Sequence, residues 1–535
     1  MTAGTPPGDP ELPPDESRPT PGEPVAAEPL PVDGGEHRPS VTRVLLKGTF
    51  WQALSQFAPL IINLVLTPYI IHGLGLEMYT IFLIANSVQA LMGTFNGGIG
   101  PSVTRYLVIY AGQRDQVAAT RLVTTMGVVV GVGVLVVFGA FYAFIPAIID
   151  FYPAMQQDES GAAFLLSTQV ILLGVLQLRS LFQSVLFAQQ QFVVASVAVL
   201  MGHLVYTVGL VLTVESGAGL RGIAWTFVCQ QALGTLIIVP PAFRHLRRKG
   251  IGFIDRALFH EFFVYAGKVQ GSSLLGMIGQ QADTLIIGKV RPEQMGFFGP
   301  GSTFAQQLRT VPLNAVGPME TILGRAVGER GTADALEECR RLQRIWVRGV
   351  TGFIAAGAPA AYFGVIAWLH LGSNLPGIVA SILLVAHLFS LLPRVQIIWC
   401  LVLRRAGFDL SQNIVFLVVK LAATLALIGP FGVVGAVLAT AGAQLVANAF
   451  LTHRIRARLD TPVPSPWRDV HVPATFLALG LSLALAWGAN QLVGPVVPLG
   501  PLGLITCGLA AAPAFVLYLH QAVGLGRLRD ILRQR

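Results

Sequence analysis

Charge is scarce in this chain. Lys, Arg, Asp and Glu make up 12% of 535 residues, about half the share found in soluble globular domains. Hydrophobic residues reach 53% and gather into runs of roughly 20, the length that crosses a bilayer as a helix. A soluble fold is thereby excluded, and an all-α polytopic membrane protein is expected. Cysteine is equally sparse: Cys229, Cys339, Cys400 and Cys507 form no CxxC or Cys/His cluster. Neither a disulfide framework nor a metal site is indicated. A nucleophile beside its base, a phosphate-cradling glycine loop ahead of a lysine and an HExxH pair are all missing. Paired loop carboxylates of the kind a membrane glycosyltransferase needs are missing too. An enzyme, and ATP hydrolysis above all, is not expected, and no resident cofactor is implied.

Residues 1–44 have no hydrophobic run. They are acidic and rich in proline ("PPGDPELPPDESRPTPGEP"), cannot bury a core, and are expected to form a disordered cytoplasmic tail. They also lack the basic start and short apolar stretch of a signal peptide. The net charge of +9 therefore combines an acidic tail with a strongly basic remainder. Because the basic residues sit in short loops between spans, they point to membrane topology and anionic lipid, not to nucleic acid.

Apolar segments fall at about 48–70, 78–100, 121–147, 163–187, 192–214 and 221–243. A second set follows at about 261–288, 295–322, 346–370, 376–402, 411–429 and 431–452, and two more at 472–493 and 500–523. About fourteen helices are expected. Even-numbered connections carry Arg105 and Arg114, "RHLRRKG", "RRLQR", Arg404 and Arg405, and "HRIRAR", whereas odd ones are neutral or acidic apart from Lys289 and Arg291. By the positive-inside rule both termini should be cytoplasmic.

Two passages echo each other. "TFNGGIGPSVTRYLVIYAGQRD" begins at Thr94 and "VPLNAVGPMETILGRAVGERG" at Val311. Asn96 matches Asn314, Pro101 matches Pro318, and Gly112-Gln113-Arg114 matches Gly328-Glu329-Arg330. Further on Arg179 matches Arg394, "GLRGIAW" from Gly219 matches "GVVGAVL" from Gly432, and His203 falls near the place of Lys420. Four echoes in one order predict two six-helix bundles, residues 45–250 and 251–460. An even number of helices per copy makes them parallel repeats about an axis along the membrane normal. Residues 461–535 would then supply two additional helices and a basic cytoplasmic end.

"GTFWQALSQFAPLIINLVLTPYIIHGLGLEMYTIF" (Gly48 to Phe82), "FNGGIGPSVTRYL", "QQADTLIIGKV" and "NAVGPMETILGRAVGE" together resemble the multidrug/oligosaccharidyl-lipid/polysaccharide exporter superfamily, and within it the polysaccharide transporter and O-antigen flippase branch. The resemblance covers roughly residues 45 to 455, and Thr80 stands after Tyr79 where the family often has glycine. It implies a flippase in the bacterial cytoplasmic (inner) membrane. Its cargo would be a polyprenyl-phosphate- or pyrophosphate-linked saccharide, carried to the outer leaflet by alternating access. Glycosyltransferases or a polymerase of the same pathway are the implied protein partners. The rival readings are an ion-coupled drug or metabolite antiporter of the same superfamily and a membrane scaffold of a polysaccharide assembly complex.

Such a cargo carries phosphate oxygens past hydrocarbon, where an unshielded charge costs several kcal/mol. A cationic interior answers that need, and Arg179, Lys268, Arg309, Arg394 and Lys420 all fall inside expected spans, against Asp283 and Glu320. Arginine offers phosphate a donor fork and lysine a point charge. Arg179 and Arg394 lie about 10–15 Å from cytoplasmic span ends, so they either line a cavity or snorkel to the interface. Arg309 and Lys420, near mid-span, either line the cavity or form structural ion pairs. Polar stripes at helical spacing add Asn63, Gln280, Asn96 and Asn314 as substrate-binding candidates, or alternatively as interhelical hydrogen-bonding residues. Asp283 is a candidate for H+ or Na+ coupling, or else a partner of Lys289. His203 and His387 are further titratable positions whose commoner role is a structural hydrogen bond.

Overall fold

The computed structural model describes residues 41–93, 103, 104, 107, 110, 115–189, 191–246, 252, 253, 256–403, 405, 407–459, 463–493 and 501–522. The acidic tail before residue 41, Asn96, and the Gly112-Gln113-Arg114 echo lie outside the described residues, as does the Lys268 side chain. Met1–Leu46 separates as a unit of its own, of which only the helical start at Val41 is described. Everything below concerns the compact unit Lys47–Arg535.

Among the described residues the regular structure is helical, without a strand. The α-helices are α1 (Val41–Gly93), α2 (Gln116–Phe151), α3 (Glu159–Ala188), α4 (Phe192–Ser216), α5 (Gly219–Arg244), α6 (Arg256–Val290) and α7 (Pro292–Leu313). They continue as α8 (Val316–Leu369), α9 (Leu375–Leu391), α10 (Arg394–Val402), α11 (Gly407–Arg458), α12 (Val472–Val493) and α13 (Pro501–Ala522). Local chemistry sets several boundaries. The Asp115 carboxylate accepts from the amides of Val117 and Ala118 at 3.1 and 2.9 Å, and that of Asp158 from Gly161 at 3.0 Å. Each satisfies amides that a helix start leaves unpaired.

Among the described residues ten helical spans, one of them α9 and α10 together, are long and apolar enough to cross a membrane by length and composition. The difference from the expected fourteen has two causes. The first and second segments run together as α1, bent at Gly75, and the eleventh and twelfth as α11, bent at Gly432. Helices α6 and α7 are absent from the ten because they carry Gln280, Asp283, Gln306 and Arg309 in place of apolar residues. Leu135, Leu212, Leu236, Phe476 and Leu509 are all more than 60% exposed. In water such a surface would aggregate; in a bilayer it meets lipid. The chain is an all-α polytopic membrane protein.

Helix α4 packs on α5, α5 on α3, and α3 on α2. Farther along, α6 packs on α11, while α9 touches α7, α8 and α11. Helices α12 and α13 pair with each other and lie on α8. The indole of Trp368 on α8 donates to the Leu64 carbonyl of α1 at 2.9 Å.

Gly432, the bend in α11, has φ 56°, and Gly219, its counterpart in the echoed sequence, has φ 58°. A side chain in this left-handed region costs about 1–2 kcal/mol. A Cβ at Gly432 would also sit 2.8 Å from the Gln294 Oε1 atom, which accepts from the Val433 amide at 3.1 Å. Gly432→Ala should therefore lower the melting temperature in detergent by several degrees. Gly442→Ala, at an open position of the same helix, should leave it unchanged or raise it, since alanine is the better helix former. Equal melting of the two variants would refute this reading of the bend.

Candidate functional site

The polar stripes of α1, α6 and α7 meet around a cavity of about 640 Å³ that α4, α5, α9, α10 and α11 complete. Among the described residues five charged side chains line it: Asp283, Arg309, Arg394, Asp409 and Lys420. Of the candidates read from the sequence, the cavity brings together Arg309, Arg394, Lys420, Asn63, Gln280 and Asp283.

Lys420 and Asp283 form an ion pair in its lining. The lysine ammonium lies 2.9 Å from Asp283 Oδ2 with 2% of the side chain exposed and donates to the Gly279 carbonyl at 2.5 Å. The Thr440 hydroxyl donates to the same Oδ2 atom at 2.8 Å, whereas Oδ1 is buried with no hydrogen-bond partner. The anticipated partner of Asp283, Lys289, is engaged elsewhere. It donates to the Phe151 carbonyl and sits 4.3 Å from the centre of that residue's ring. The reason is helical geometry. Lys289 is six residues beyond Asp283, more than a turn and a half along and on another side of α6, whereas α11 packs Lys420 directly against α6.

Arg309 belongs to a polar chain across α6 and α7. Its Nη1 donates to Gln306 Oε1 at 3.3 Å, and Gln306 Nε2 reaches Gln280 Oε1 at 3.5 Å. Arg394 opens α10 directly after Pro393, where the tenth segment breaks into α9 and α10. The two arginines lie within electrostatic reach of each other, and Arg394 also of Asp409. The Nε atoms of both are buried without a hydrogen-bond partner. Two guanidinium groups lining one cavity suit an incoming anion, because an anion would offset their charge and accept from donors that the protein leaves unmet.

The remaining candidates separate from this group. Arg179 sits half-buried on α3 with its guanidinium against Gly234 of α5, where an added Cβ would come within 2.2 Å of Nη1; it is not among the residues lining the cavity. Its echo Arg394 is, so the two related positions have diverged. His203 and Lys420, the other echoed pair, both reach the cavity. Asn314 follows the last turn of α7, exposed and away from the cavity lining. His387 lines the wall, buried, with Nε2 unpartnered. Asp409 was not singled out in the sequence because an acid in the first turn of a helix ordinarily just offsets the helix dipole. Tyr79, Phe82, Tyr206 and Phe227 also line the cavity; in sequence they look like any membrane aromatic. No group of three His, Cys, Asp or Glu side chains suited to a metal occurs among the described residues.

Solved structures share this architecture. The chain superimposes on the lipid II flippase MurJ in an inward closed conformation with a TM-score of 0.65 at 13% identity, covering 91% of this chain and 100% of that one. An inward-facing multidrug resistance MATE family transporter of the MOP superfamily gives 0.57 at 14% identity, with 76% and 98% covered. A variant of the Vibrio cholerae MATE transporter VcmN gives 0.56 at 16% identity, with 78% and 98% covered. At such identities the likeness concerns the fold. A comparison with curated protein sequences finds no match. The family model described as "Polysaccharide biosynthesis protein" matches residues 45–322, and with it the helices that build one wall of the cavity and part of the other. The chain is a member of the polysaccharide biosynthesis protein family.

Proposed function

We propose that this transporter moves a lipid-linked saccharide, joined to its polyprenyl tail through phosphate or pyrophosphate, from the cytoplasmic to the outer leaflet of a bacterial inner membrane. One observation carries the reading: the guanidinium groups of Arg309 and Arg394 line the same cavity. A drug antiporter built for cationic substrates would want the carboxylates free. Here Asp283 is already neutralised by Lys420. The volume of about 640 Å³ falls within the roughly 300–1,000 Å³ of small-molecule sites, and suits a short head group while the tail stays in lipid.

With both termini in the cytoplasm and the two six-helix halves rocking about the cavity, the site would open to one side at a time. An anion moving outward across an inside-negative membrane gains about 2.3 kcal/mol per charge per 100 mV. Since Lys420 occupies Asp283, the potential is the simpler drive, and a coupling ion at that carboxylate is the alternative. Protein in liposomes, assayed with a fluorescent prenyl-phosphate sugar, should flip several-fold faster toward the positive side when a potential is imposed. Abolishing the potential should remove that bias. A rate indifferent to potential but dependent on an Na+ or H+ gradient would overturn the electrical drive; failure to flip any lipid phosphate would overturn the function itself.

A further inference from the structure

The cavity is divided by chemistry. Among the described residues, all five charged ones in the lining belong to α6, α7, α10 and α11. The wall from α1, α4 and α5 carries no Asp, Glu, Lys or Arg among its described lining residues, and holds Tyr79, Phe82, Tyr206 and Phe227 against only Phe298 and Phe416 on the charged side. Instead it presents a continuous run of rings. His203 meets Tyr206 edge-on at 6.4 Å, Tyr206 stacks on Phe227 at 5.5 Å, Phe227 on Phe82 at 6.4 Å with the planes only 12° apart, and Phe82 leans on Tyr79 at 6.1 Å. The amides of Asn63 and Gln230 line the same cavity, as does that of Asn86, whose Oδ1 accepts from Gln169 Nε2 at 2.9 Å and whose Nδ2 faces a ligand as a donor alone.

We propose that this uncharged wall is a sugar-binding subsite, holding the saccharide of the cargo while Arg309 and Arg394 hold its phosphate. The inference rests on the reading of the cavity as a head-group site and adds an orientation to it. Aromatic faces carry negative potential, so they repel phosphate but accept the weakly positive C–H face of a pyranose ring. Side-chain amides offer donor and acceptor together, matching hydroxyls that do both. A wall with these two properties and no charge discriminates among sugars without trapping the phosphate.

The test uses purified full-length protein in detergent and four probes: farnesyl phosphate alone, and farnesyl phosphate bearing glucose, galactose or N-acetylglucosamine. At least one glycosylated probe should bind more tightly than the bare phosphate. Phe227→Leu and, separately, Gln230→Leu should weaken that probe by about five- to tenfold while leaving farnesyl phosphate unchanged. Arg394→Gln should weaken all four. If bare and glycosylated probes bind alike, or if Phe227→Leu and Gln230→Leu weaken both equally, the subsite falls and the head-group reading stands. If no probe binds, both fall. Binding of ethidium that is sensitive to Phe227→Leu, with no added affinity from any sugar, would mark the wall as a site for aromatic cations and likewise overturn the proposal.

Discussion

Lys420→Met should lower the thermal stability of this protein more than any other single change within the cavity. The substitution leaves the Asp283 carboxylate buried against Thr440 with no cation beside it. Removing one partner of a buried ion pair costs about 3–5 kcal/mol, because the remaining charge keeps its desolvation penalty and loses the attraction that offset it. Replacing both partners should cost far less, and swaps of whole buried pairs are often neutral. Adding Asp283→Asn to Lys420→Met is therefore expected to recover most of the loss, since an asparagine carbonyl still accepts from Thr440. Melting temperatures of the two single variants and the double variant, taken in one detergent, form the necessary cycle. Additive losses in the double variant would show that the pair is not energetically coupled.

The second large effect concerns transport. Arg309→Gln combined with Arg394→Gln removes two of the three Lys and Arg side chains that line the cavity among the described residues, and the third is already committed to Asp283. Hydrogen bonds to a charged group are worth about 1.5–3 kcal/mol each. Losing two from a bound phosphate should reduce flipping on the order of 100-fold or more at limiting substrate. Stability should move the other way. Two like charges within reach of each other and poorly solvated oppose the empty state, so the double variant should melt no lower than the parent. A variant that flips normally would remove the physical basis for an anionic cargo. One that is inactive but also unstable would make the arginines structural.

The residues show how far sequence reading reaches. A lysine or arginine within an apolar run is expensive in hydrocarbon, so Arg309, Arg394 and Lys420 announced an interior of some kind without any knowledge of contacts. Asn63 and Gln280 were legible by periodicity, since residues three and four apart share a helix face. Arg179 had the same signal as Arg394 and an echoed position, yet it packs on Gly234 beside α5. Helix phase says which residues share a face, but not which neighbour covers it. Asp409 and the aromatic wall gave no distinguishing signal, because an acid in a first helical turn and an apolar ring in a membrane helix are both ordinary where they stand.

By itself the sequence determined that this chain lives in a bilayer as helices, that its interior carries cations, and that two stretches repeat. All three follow from the cost of exposing polar groups to hydrocarbon and from the period of a helix, which act on neighbours along the chain. Only the tertiary structure decided that Lys420 and not Lys289 neutralises Asp283, that Arg179 and Arg394 part company, and that a run of rings on α1, α4 and α5 shares one cavity with charges from α6, α7, α10 and α11. Each of these depends on which helices touch, and pairing between residues more than 100 positions apart is settled by packing, which no local period encodes.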